Sequence, residues 1–227
     1  MTLLASTLTD YAAHILHDDD HDRFSVARLL SYLNAAQRQL MSVRPEANAV
    51  YSVLTLQQGI LQQIPSALNP LRLLTITRNM GADGATPGKA AAATDRSSLD
   101  SLLISWDTGE TVTEIESYVY DERTPVNFFV YKPPDGVNVV TVEALVSVMP
   151  DDITDVSESL VFLDTYFSPL IHWMLYCAYT MELDDSASYS KALHHYQCFA
   201  LELGQDLSAA TLVNPNLFEF YMTRNTG

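Results

Sequence analysis

Apolar residues recur at helical spacing near both ends of the chain and alternate through its middle. Leu8, Tyr11, Ala12 and Ile15 predict a first helix that reaches about Leu16. The run His17-Asp18-Asp19-Asp20-His21-Asp22 breaks it. Ser25 then predicts the N-cap of a second helix, because its hydroxyl accepts a backbone N–H that the first turn leaves free. Val26, Leu29, Leu30, Leu33, Ala36, Gln37, Leu40 and Met41 form one stripe of that helix, and Pro45 ends it.

The period then changes to two. Residues 50–56 read as a strand, Gln57-Gln58-Gly59 as a turn, and residues 60–65 as the hairpin partner. Residues 71–80 predict another strand. The Gly-rich stretch 81–93 predicts an exposed loop, and Asp95 caps a short helix from Arg96 to about Ile104. Residues 118–121 and 127–131 predict an antiparallel pair. After the turn Pro133-Pro134-Asp135-Gly136, residues 137–149 predict a long strand whose Val140, Val142, Ala144 and Val146 share one face. Helical spacing returns after Asp164. Leu170, Met174, Cys177, Ala178 and Met181 line one helix, and Tyr189, Leu193, Tyr196, Phe199, Ala200 and Leu203 line the next. Gly204 predicts a left-handed C-cap.

The predicted fold is α+β. An antiparallel helical bundle forms from N- and C-terminal helix pairs, residues 1–48 and 160–204. Residues 49–159 form an inserted antiparallel β-rich lobe with one short helix, and residues 205–227 an extended C-terminal tail. The tail carries an apolar hook, Leu217, Phe218, Phe220 and Tyr221. Such a hook is a liability unless it docks on another chain or folds back on its own.

Composition changes this picture through charge. The 227 residues hold 12 Lys+Arg against 28 Asp+Glu, a net charge of −16. Gripping nucleic acid over a broad surface requires cations, so the charge argues against that class, and it disfavours adhesion to an anionic membrane. Residues 1–98 are neutral and residues 99–227 carry the whole excess. Either this is a solubilising surface or it is one that repels something. Two cysteines, Cys177 and Cys198, are too few for a disulfide framework. No stretch approaches the roughly 20 apolar residues of a membrane span. The first residues lack the basic segment of a secretion signal, so export by that route is not expected.

Candidate chemistry is sparse. His14, His17 and His21 with Asp18, Asp19, Asp20 and Asp22 read either as a solvated acidic loop or as a divalent-ion site. His194 and His195 are neighbours on a helix, about 100° apart, and cannot chelate one ion together. The stretch 81–89 loosely resembles a phosphate loop, but its spacing fails and Pro87 interrupts it. No Gly-x-Ser-x-Gly occurs. Tyr118, Tyr120, Phe128, Phe129 and Tyr131 read as sheet packing, with part of the set free to meet a partner.

The helix 29–39 followed by Arg44-Pro45-Glu46-Ala47 resembles the second helix of head-to-tail adaptor (neck or connector) proteins of tailed bacteriophages, podovirus type. Leu54-Thr55-Leu56-Gln57-Gln58-Gly59, Ile64-Pro65, Leu71-Arg72-Leu73-Leu74, Arg78-Asn79-Met80-Gly81 and Pro87-Gly88-Lys89 extend the resemblance. So do Tyr120-Asp121, Phe129-Val130-Tyr131, Pro133-Pro134-Asp135-Gly136 and the helical pair 166–204. More distantly the chain is similar to tail tubular protein A of short-tailed phages. It departs from the adaptor pattern at residues 90–93 and at Cys177, where a basic residue is usual.

The resemblance implies a non-enzymatic structural virion protein, without a cofactor, joining the portal vertex to the tail. It implies a homo-oligomeric ring, a dodecamer, around the DNA exit channel, with the portal protein on one side and the tail nozzle or tail tube protein on the other. Genomic DNA passes through without specific binding. The implied location is the virion neck, after synthesis in the bacterial host cytoplasm. On this reading Leu217, Phe218, Phe220 and Tyr221 dock on the portal, and Glu182, Asp184 and Asp185 face the channel. Two rivals stand beside it. One is a metal-dependent hydrolase using His14, His17 and His21. The other is an acidic assembly chaperone or DNA mimic.

Overall fold

A computed structural model of the chain describes residues 3–102, 113–181 and 186–205. It divides into two compact units, residues 1–44 with 151–227, and residues 45–150.

The first unit is built on four helices, α1 (Ala5–Ile15), α2 (Val26–Val43), α4 (Phe167–Thr180) and α5 (Ser186–Glu202). α2 packs on α1 and α4, and α4 packs on α5. The α2 stripe is buried from Leu29 to Met41, with Val26 alone half-exposed at its start. Ser25 caps α2 by accepting from the Arg28 amide. α1 has no side-chain cap. Its free first-turn amides are met by another strand of chain: Ala5 donates to the Glu158 carbonyl at 2.9 Å and Ser6 to Val156 at 2.8 Å. Leu160 donates back to Leu3. The buried face of α1 is Leu8, Ala12 and Ala13, whereas Tyr11 is half-exposed and meets Phe167 edge-on.

Polar residues beside the α2 stripe hold the segment after residue 150 to this unit. Asn34 makes two bonds to the Ile153 backbone, at 2.9 and 2.8 Å, and Arg38 pairs with Asp152. The two compact units meet along the chain at 44/45 and 150/151. At the other division, a turn at Pro45–Asn48 is tied to the β unit, where Ser147 donates to the Pro45 carbonyl and Asn48 to Val148.

Among the described residues the second unit holds eight strands and α3 (Arg96–Leu102). One sheet runs β1 (Ala49–Thr55), β8 (Thr141–Val148), β3 (Pro70–Met80), β4 (Pro87–Ala90), all antiparallel. The other runs β2 (Leu61–Gln63), β7 (Asn127–Tyr131), β6 (Ser117–Tyr120), β5 (Ala92–Ala93), with β5 parallel to β6. Their inner faces meet in one core that includes Leu54, Leu73, Ile76, Val142, Ala144 and Val146 from the first sheet and Tyr118, Phe128 and Val130 from the second.

Three expectations are corrected here. Residues 50–56 and 60–65 do not form a hairpin, because their strands belong to different sheets. The Gln62 side chain closes the corner between them. Its amide accepts from Gln57 N at 2.7 Å and donates to the Gln57 and Gly59 carbonyls, replacing ladder bonds that a hairpin would supply. The Gly-rich loop 81–93 is shorter than its composition suggests, since β4 and β5 occupy its second half. The long strand 137–149 begins only at Thr141. Before it, the Asp135 carboxylate binds the amides of Val137 and Asn138 and holds them in a turn.

Candidate assembly surfaces

The His/Asp run after α1 is a tight connection. His17 and His21 adopt left-handed backbone angles, φ 53° and 57°. Asp18 turns inward, 5% exposed, and caps the entry to α2 by accepting from Arg23 N at 3.0 Å and Phe24 N at 2.8 Å. These bonds, Arg23's first, hold its carboxyl below the usual range. His14 meets Asp19, 3.3 Å away on the surface. Among the described residues no three His, Cys, Asp or Glu side chains converge to hold a metal ion. Asp18, one of the carboxylates of that run, is engaged in capping.

The phosphate-loop likeness dissolves in the same way. Asp83 bonds the amides of Ala85 and Thr86 and the Thr86 hydroxyl. These donors, the Thr86 amide foremost, bring the Asp83 pKa down to about 2. A permanent carboxylate occupies the place an anion would need. Burial pushes the Cys177 thiol up to about 12 and raises that of Cys198 as well, so neither is a ready nucleophile.

The aromatic strands are mostly accounted for within the chain. Tyr118 and Phe128 are core residues, while Phe129 and Tyr131 pack against Leu99 and Val119. Arg96 lies over the Phe129 ring, 5.0 Å from its centre. One exposed apolar surface lies elsewhere. β1 lies at the edge of its sheet, and its Val50, Tyr51 and Val53 are 42%, 64% and 46% exposed. No charged residue or proline occurs in residues 49–56. Edge strands are ordinarily blunted by such residues. An edge left open offers backbone donors, acceptors and apolar side chains to another chain.

A polar row lies between α4 and α5. Ser168 donates to Glu202 at 2.7 Å, and the Glu202 carboxylate stands 3.6 Å from His172 Nε2. His172 Nδ1 faces His195 Nδ1 at 2.9 Å. The His195 ring stacks on Tyr179, nearly parallel and 5.6 Å centre to centre. Burial lowers the pKa of both histidines, that of His195 to about 4. Sequence reading passed over this row, because 23 residues separate the two histidines and only the helix pairing brings them together.

Grouped by structural unit, the charge divides differently from the split at residue 98. The helical unit holds 6 Lys+Arg against 16 Asp+Glu, a net −10, and the β unit 6 against 12, a net −6. Both units are therefore acidic, since the basic residues of α2 share a unit with the carboxylates after residue 150. Of the residues singled out from sequence, Leu217, Phe218, Phe220 and Tyr221 lie outside the described residues, as do Glu182, Asp184 and Asp185.

Comparison with family models matches residues 1–216 to the SU10 adaptor protein family. A search of curated proteins finds none that matches.

Proposed function

The chain belongs to the SU10 adaptor protein family, and from that premise we propose how it works as the structural connector that joins the portal to the tail in the phage neck. The single observation that carries the role is the family match across residues 1–216. The remaining elements are our reading. Copies of the chain form a closed ring, a dodecamer, around the DNA exit channel. A ring needs two different complementary faces on each subunit. The uncharged β1 edge supports one such face. The tail hook, Leu217, Phe218, Phe220 and Tyr221, docks on the portal protein, and the opposite end meets the tail nozzle or tail tube protein. Glu182, Asp184 and Asp185 face the channel. With −16 on every subunit, passing DNA is repelled from the wall and is not retained. Synthesis takes place in the host cytoplasm.

The deciding experiment is truncation after Gly204. The shortened chain keeps its helical and β units, and pull-down on purified portal should show binding lost. Undiminished binding would remove the tail from the mechanism and leave the connector role in place.

A further inference from the structure

We propose that the Ser168–Glu202–His172–His195 row is a proton-sensitive latch between α4 and α5, closed while one of the two facing Nδ1 atoms is a bare acceptor and opened when both carry hydrogen. The inference rests on this cluster alone and is independent of the portal assignment.

Geometry fixes the arrangement of protons. Two Nδ1 atoms 2.9 Å apart bond only if one carries hydrogen and the other does not. The Glu202 carboxylate beside His172 Nε2 favours hydrogen on that nitrogen, so His172 Nδ1 accepts and His195 Nδ1 donates. A first added proton leaves both Nε2 atoms carrying hydrogen and one hydrogen between the two Nδ1 atoms, with the charge favoured on His172 beside Glu202, so the bond stays intact. A second has only the remaining bare Nδ1 to occupy. Two N–H groups then face each other between two imidazolium rings, and the contact must part. The pair thus titrates in two linked steps.

The surrounding groups work in opposite directions. Glu202 on α5 favours charge on His172, while Lys191 and His194 on α5 oppose charge on His195. On α4, Tyr179 stacks on His195 and is itself covered by the Lys191 ammonium, 5.2 Å from the ring centre. The largest resistance on both rings comes from burial, followed on His195 by the His172 ring beside it. The sign follows. Unfolded imidazoles take protons near their ordinary 6.5, whereas the folded pair resists, His195 down to about 4. Between those values the unfolded chain binds more protons, so stability is complete above pH 6.5 and declines as pH falls toward 4.

The test uses the full chain. Thermal unfolding between pH 7 and 4.5 should show a fall of roughly 5 °C for the unaltered protein. His172→Gln keeps an acceptor oxygen that cannot be protonated, so its fall should be at most half as large. NMR titration of the unaltered protein should show His172 and His195 with linked midpoints below 6.5. Independent titration of both at the ordinary value, or equal pH profiles for the two proteins, would overturn the latch. If His172→Gln does not fold, the NMR titration decides alone.

Discussion

Asn79 shows what single side chains contribute. It is fully buried on β3, donates to the Lys89 and Ile115 carbonyls and accepts from the Ile115 amide at 2.8 Å. One amide therefore serves three backbone groups from two distant segments. Asn79→Ala strands the Ile115 N–H in the interior, and a buried unpaired donor costs far more than an ordinary bond gains. Urea unfolding should show a loss of about 2–4 kcal/mol. A loss under about 1 kcal/mol would mean that Ile115 finds another acceptor. Residues whose work is local were legible in the sequence. Ser25 caps α2, and Gly204, at φ 68°, closes α5 with Gln205 N donating to Ala200 O at 2.8 Å. Asn34, Gln62 in its corner-closing role and Asn79 were not, because their geometry is set by tertiary folding, with the partners of Asn34 and Asn79 lying 119 and 36 residues away.

At the scale of elements, periodicity located all four helices of the bundle, since a helix must bury one face and the stripe records it. Pairing was another matter. β1 finds β8, some ninety residues on, because that register sets Leu54 opposite Val142 in the core. The same pairing leaves β1 at the edge, which makes it testable. Tyr51→Lys introduces a charge at a 64% exposed position, so thermal stability should change by no more than about 0.5 kcal/mol. Self-association, followed by sedimentation velocity with increasing concentration or on portal, should fall. Unchanged self-association would assign the subunit contact to another surface.

For the whole molecule, charge is the dominant property. Net charges of −10 and −6 make both units acidic. In a gel-shift assay at low salt, duplex DNA should migrate unaltered at every protein concentration. Salt-sensitive retention would contradict passage without binding. The family membership agrees with the resemblance that ordered motifs had suggested, and both point to a protein that works by shape and adhesion.

The sequence by itself determined the helices, most of the longer strands, the α+β class, the overall acidity and the family. All of these depend on local spacing, composition or motif order, which need no partner in space. Tertiary structure alone decided the sheet memberships, the unit divisions at residues 44/45 and 150/151, and the meeting of His172 with His195. It also turned the His/Asp run into a cap and spread the acidic excess over both units. Each of these depends on contacts between residues far apart in the chain, and those follow from which faces the whole fold can bury together.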